Sequence, residues 1–196
     1  MFGRFSFPAA VAVVGLGLSM PAPAAATVAV KRDFPDLVAR AEQIVIGTVT
    51  AIREGDESGT PSTYVTFSDL SVLKGDVGAD LTLRFGGGRS GPYAIQISDL
   101  PTFQVGERAV LFVAGNGRDI CPLVGVWQGR FRVRFDPHLG TEVVDGNDGR
   151  PVVGVLRGEV QLQAGSGGGA ATPVTLDTFR RLIADELATP QSTVGK

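Results

Sequence analysis

From Leu123 to Phe135 the chain alternates apolar and polar residues with the clearest period of two in its sequence, a pattern that commits the segment to β-structure. Trp127, Phe131, Val133 and Phe135 fall on one face, and Gln128, Arg130, Arg132 and Arg134 fall on the other. A half-buried strand of an antiparallel sheet accommodates such a run, with its apolar face on the core and its arginines toward water.

Shorter segments repeat the theme. Ile44 to Ile52 is β-branched with Gly47 inside it, which suits a strand that bends or is closely approached. Arg53 to Ser62 reads as a connecting loop. In Tyr64 to Leu73 the alternation contains a fault, because Val65 and Phe67 share one parity while Leu70 and Val72 share the other. One extra residue near Ser68 or Asp69 puts all four on one face, so a β-bulge is predicted there. Lys74-Gly75-Asp76 makes a turn, Leu81 to Phe85 alternates cleanly, and Ala109 to Val113 is apolar at every position, which predicts a strand covered on both sides. Thr141 to Val144 and Val152 to Val155 complete a set of five or six short strands. Their glycine-rich turns predict a mainly β domain folded as a small antiparallel barrel.

Two helices frame the strands. Asp33 is placed to cap a short one beginning at Phe34-Pro35-Asp36, with Leu37, Val38 and Ala41 at helical spacing. Thr175 is placed to cap a second, in which Leu176, Phe179, Leu182, Ile183 and Leu187 form an apolar stripe expected to pack on its own domain, the alternative being a partner-binding helix on a tether. The predicted organisation is a signal peptide over 1–26, a barrel over 27–160, a glycine-rich linker over 161–173 and the amphipathic helix over 174–190.

The signal peptide rests on Arg4, the apolar stretch from Phe5 to Met20 and the small residues Ala24, Ala25 and Ala26. Pro8, Gly15 and Gly17 interrupt that stretch, which is shorter than the ~20 residues a spanning helix needs, so a membrane-spanning protein is not expected. The expected location is extracytoplasmic, either periplasmic or secreted. The lone Cys121 offers no internal disulfide. A formal net charge of −2 gives no basis for nucleic-acid binding. Glycine supplies 27 of 196 residues, about twice ordinary usage, and is read as turn material in a folded chain.

The motifs that resemble catalytic or cofactor chemistry reduce to turns. Gly86-Gly87-Gly88-Arg89-Ser90-Gly91 matches G-x-G-x-x-G in form, but Pro92 and an extended segment follow where a phosphate-binding helix must start. Asp145-Gly-Asn-Asp-Gly149 resembles part of a calcium loop, yet Leu156 stands where the bidentate carboxylate belongs. His138 is the only histidine and no Gly-x-Ser-x-Gly elbow exists, so no catalytic residue, metal ligand or cofactor is assigned. The ligand-binding candidates are Arg130, Arg132 and Arg134, with Arg89 of the glycine loop. The arginine row reads either as the solvated face of a strand, meeting carboxylates such as Glu142, or as a stripe for an anionic polymer.

Three segments carry a resemblance: Ala41-Glu-Gln-Ile-Val-Ile-Gly47-Thr-Val, Leu70-Ser-Val-Leu-Lys-Gly75, and Phe103-Gln-Val-Gly-Glu-Arg-Ala-Val-Leu-Phe112. Together they resemble a family of uncharacterised exported bacterial proteins and, more distantly, the netrin-like modules typified by tissue inhibitors of metalloproteinases. The resemblance implies an OB-like barrel with a helix alongside and a protein-binding role outside the cytoplasm. It does not transfer the inhibitory residues, since Thr27 and an unpaired Cys121 stand where those inhibitors need a disulfide-pinned N-terminal cysteine. The resulting expectation is an exported, non-catalytic binding or accessory module with a protein partner, possible partners including a protease. The alternatives are a binder of envelope polysaccharide or another anionic ligand, and a hydrolase.

Overall fold

The computed structural model describes residues 30–56, 59–164 and 171–189, so the predicted signal peptide and the glycine-rich core of the predicted linker lie outside the described residues. The first helix, α1 (Phe34–Arg40), starts where Asp33 accepts a hydrogen bond from the Asp36 amide at 2.9 Å, with Pro35 in the first turn. It ends against Lys74, whose ammonium group donates to the carbonyls of Val38 (2.7 Å) and Ala39 (3.1 Å) and so satisfies groups that the helix leaves open. Gly75 follows at φ 80°, and a Cβ there would lie 2.6 Å from the Glu42 carbonyl oxygen. The Lys-Gly pair thus ties the end of one strand to the exit of the helix.

The strands are β1 (Gln43–Gly55), β2 (Ser62–Lys74), β3 (Leu81–Gly86), β4 (Gly88–Ser90), β5 (Tyr93–Ile95), β6 (Arg108–Val113), β7 (Arg130–Asp136), β8 (Thr141–Asp145), β9 (Val152–Leu156) and β10 (Glu159–Leu162), followed by α2 (Leu176–Ala188). Six of them form one antiparallel sheet in the order β3-β2-β1-β6-β7-β8, while β4 with β5 and β9 with β10 make separate two-stranded hairpins. β1, β2 and β3 follow one another directly, and the long connection over 87–107 returns β6 to the free side of β1, which is a Greek-key arrangement. Among the described residues the protein is therefore mainly β with two α-helices, as expected. The sheet is open, because its end strands β3 and β8 are not paired with each other.

The bulge falls where the sequence places it. Between Ile46 and Thr48 of β1 the partner strand advances from Ser71 to Ser68, and the extra turn of chain is taken at Asp69, whose φ is 53°. Gly47 lies opposite, and a Cβ on it would come within 2.7 Å of Leu70 and 3.2 Å of Phe67. Leu70 thereby joins Val65 and Phe67 on one core. Val72 does not: a further register shift beside Ile44 turns it outward, 42% exposed, and directs Leu73 to the opposite core. The predicted Arg53–Ser62 loop is also shorter than expected, since cross-strand pairing persists to Gly55 and Ser62.

Both faces of the central strands are buried. Ile44 and Ile46 of β1 with Val110 and Phe112 of β6 face the helices, while Val45 and Val49 with Ala109, Leu111 and Val113 face a second core built from β2, β3 and Phe103. On the helix side Leu176, Phe179 and Ile183 of α2 enter the same cluster as Phe34 and Leu37 of α1, so the second helix is docked on its own domain. Thr175 caps it, accepting from the Thr178 amide at 3.2 Å. The linker is shorter than expected, because β10 runs to Leu162 and the Gln163 amide still donates to the Pro151 carbonyl. Among the described residues no helix is long and apolar enough to cross a membrane.

The end strands are not left bare. Asn116 donates to the carbonyl of Thr82 (2.9 Å) and accepts from the amide of Arg84 (3.0 Å), and the Gly86 amide donates to the Ile120 carbonyl (2.7 Å). The side-chain amide stands in for a neighbouring strand along β3. At the other end of the sheet, β8 is met by bridges from Val143 to Thr175 and from Asp145 to Pro151.

Phe179 is fully buried, with ring centroids 4.9 Å from Phe131 and 5.6 Å from Phe34. Phe179→Ala is expected to lower unfolding stability by about 3–5 kcal/mol, read as a shift of the urea midpoint within a single cooperative transition. A smaller loss, or early separate melting of the helix, would contradict the docking described.

Candidate functional site

The long alternating run does not form one strand. Gly125, at φ 63°, opens a 3-10 turn over Val126–Gly129, and a Cβ on Gly129 would lie 2.7 Å from the Val124 carbonyl oxygen. Only after this turn does β7 begin. Trp127 is consequently turned out to 42% exposure, and Phe135 reaches 64%, against the expectation that both share the buried face of Phe131 and Val133.

Arg130, Arg132 and Arg134 do share one face of β7, opposite Leu111 and Ala109 of β6 for the first two. That face is not solvated along its length. Arg130 is among the largest fully buried side chains, at 2% exposure. Its guanidinium makes an ion pair with Glu107, donates to Asn147 Oδ1 at 2.9 Å and lies 4.4 Å from the centre of the Phe103 ring. Burial pulls the Arg130 pKa down, opposed by Glu107. Arg134 is bound by Asp145 (2.7 Å) and Asp136 (3.2 Å). Arg132 lies opposite Asp145 in the β7–β8 register, and its Nε and the Asp145 Oδ1 are both buried without a hydrogen-bond partner. Glu142, named from the sequence as a partner for the row, pairs instead with Arg108.

Arg89 stands apart from the row, on β4. The glycine motif preceding it opens a hairpin rather than a helix: Gly87 and Gly88 have φ of 83° and 135°, and a Cβ on Gly88 would meet Thr63 and Ser62 within about 3 Å. Arg89 pairs with Ala94 across the hairpin, and its side chain has no hydrogen-bonding or ionic partner among the described residues. It lines a cavity of about 660 Å³ with Ile52, Phe85, Ile95 and Phe103, between β1–β2 and the β4–β5 segment. The four candidate arginines are therefore not brought together.

A second cavity, of about 390 Å³, was not anticipated. Leu37, Phe131, Val160 and Leu162 line it with Trp127, and Lys31, Arg32 and Arg150 contribute positive charge. The one available signal was the pair of glycines bracketing Val126-Trp-Gln128, which breaks the strand and exposes the tryptophan.

The residues resembling catalytic groups are occupied structurally. Asp136 accepts from the amides of His138 (2.9 Å) and Leu139 (3.2 Å), which makes the β7–β8 turn. Partial burial raises the Asp136 pKa, but those two amides and Arg134 outweigh it and hold the carboxyl below its ordinary range. Burial pushes the Cys121 thiol up to about 11, which leaves little thiolate at neutral pH. Asp145 and Asn147 of the calcium-like turn serve Arg134 and Arg130. Among the described residues, no group of three or more His, Cys, Asp or Glu is placed to hold a metal ion.

No protein-family model matches the chain, and no curated protein or solved structure matches it either.

Removing one partner of the buried pair should cost more than removing both. Glu107→Ala is expected to destabilise by about 3 kcal/mol or more, because Arg130 is left charged and unpaired, whereas Arg130→Met with Glu107→Leu should recover most of that loss in urea denaturation. An additive double variant would show that the charges do not act as a pair. Acid sensitivity follows from Asp136: its folded pKa lies below the unfolded value of about 3.9, so its contribution is complete above that pH and is lost as pH falls through the folded pKa. Asp136→Asn should therefore flatten the acid limb of a melting-temperature profile below about pH 4 while leaving its shape at neutral pH unchanged.

Proposed function

We propose that the protein is a non-catalytic binding module that acts outside the cytoplasm and recognises a protein partner through the groove beside Arg89. The observation that carries this reading is an exposed apolar surface next to a cation whose side chain has no ionic partner among the described residues. Ile52 is 39% and Ile95 44% exposed, both line the 660 Å³ groove, and Tyr93 is 71% exposed on the same hairpin as Ile95. Exposed apolar side chains gathered around a concave surface mark interaction sites more often than isolated ones do. Arg89 adds a guanidinium that can donate to a carboxylate. A peptide segment with an apolar side chain beside an acidic residue meets both features. Glu54 and Asp99 also line the groove, so the apolar contact carries the affinity and Arg89 the orientation.

The arginine row gives weaker support to an anionic polymer. Arg130 is buried and Arg134 is held by two carboxylates, so a polymer would have to displace acids that already satisfy them. The extracytoplasmic location rests on the basic, apolar and small-residue sequence of 1–26. The OB-like, netrin-like kinship is likewise a proposal, supported by the Greek-key order β6-β1-β2-β3, since an OB fold is a partly open Greek-key barrel.

Panning a random peptide library on the purified protein tests the reading. The expected result is enrichment of sequences that place a large apolar residue next to Asp or Glu. Ile95→Asp should abolish their binding, Arg89→Glu should weaken it about tenfold, and Phe135→Asp, exposed away from the groove, should leave it unchanged. Enriched peptides that bind Ile95→Asp as well as the parent, or a library that yields none, would overturn it.

A further inference from the structure

The 390 Å³ cavity lies where α1, the turn over Val126–Gly129, the β8–β9 turn and β10 meet, and it is separate from the groove beside Arg89. Its volume falls in the range of small-ligand sites. Leu37 and Phe131 form a buried apolar part, and the half-buried Val160 and Leu162 extend it.

The polar groups lining it are unevenly used. The acceptors are taken: Gln128 Oε1 receives the Arg32 amide (2.7 Å), Asn147 Oδ1 receives Arg130 (2.9 Å), and both Asp148 oxygens receive Arg150, through its backbone N–H (3.1 Å) and its Nε (2.6 Å). Donors remain in surplus. Among the described residues Asn147 Nδ2 has no partner, the Arg150 guanidinium engages Asp148 only through Nε, and that of Arg32 engages Asp36 through Nη1 alone. Lys31 is held by a single pair with Glu159 in which both side chains are more than half exposed, 72% and 54%, so that contact is cheap to exchange. A ligand suited to this cavity brings acceptors and no donors at its polar end, and hydrocarbon at the other.

We propose that this cavity binds a small amphipathic carboxylate, with its apolar body against Leu37, Phe131, Val160 and Leu162 and its anionic head on Arg150, Asn147 and Lys31. The site is independent of the protein-binding groove. Trp127, the only tryptophan in the chain, lines the cavity and is part-exposed, so it reports occupancy directly.

The experiment follows Trp127 emission while the purified protein is titrated with decanoate, with decanol as the uncharged control of the same carbon number. Decanoate should produce a saturable change with a midpoint below about 1 mM, and decanol should bind about tenfold more weakly for want of a charge-assisted contact. Val160→Phe, which fills the apolar part, should abolish the decanoate response. Arg150→Gln, at a half-exposed side chain that among the described residues bonds only Asp148, should bring decanoate down to the level of decanol while leaving the melting temperature in place. No saturable change, equal binding of acid and alcohol, or an Arg150→Gln variant that still prefers decanoate would overturn the proposal.

Discussion

β1 and β6 bury side chains on both of their faces, and the rest of the molecule is arranged to satisfy that demand. Neighbouring residues along each strand point into different cores, so each strand needs two separate covers. On one side the helices and the β9–β10 hairpin supply it, around the rings of Phe34, Phe112, Phe131 and Phe179. On the other side β2 and β3 must curl over the sheet, and the bulge at Asp69 with Gly47 opposite makes that possible by clearing space for Leu70. Phe103, on the long connection before β6, packs on Phe67 and Phe85 at 5.5 and 5.3 Å and closes the second core.

Arg130 joins these parts. Its guanidinium spans from the residue preceding β6 to the turn after β8, over the face of Phe103, so one buried charge ties three segments together. Buried ion pairs gain little net stability over apolar replacements, but they demand one geometry. That demand also shapes both concave surfaces: Phe103 lines the groove beside Arg89, and Asn147 lines the smaller cavity.

Much of this architecture was legible because it rests on local rules. The caps at Asp33 and Thr175, the bulge deduced from a parity fault, the two-sided burial of Ala109–Val113 and the absence of a helix after Gly91 each depend on a few neighbouring residues. The errors share a different cause. Period-two alternation continued through Val126–Gly129 although the backbone does not, because two glycines permit a turn that hydrophobicity cannot register. Arg130 read as solvated because its partners, Glu107 and Asn147, are 23 and 17 residues away along the chain and meet it only through the fold. The smaller cavity was invisible for the same reason, and of the groove only Arg89 and its glycines stood out, because each is assembled from segments distant in the chain.

Asn116 takes one amide and one carbonyl on the open edge of β3 without itself belonging to a strand, and the consequence concerns how these molecules behave in a crowd. An exposed strand offers its backbone to any other chain regardless of sequence, including a second copy of itself. Here the outermost amides and carbonyl of Arg84, Gly86 and Thr82 are already engaged by the molecule's own loop. Growth of native molecules into stacked filaments at this edge would first require the loop to peel away, so a single carboxamide acts as a barrier to self-templating.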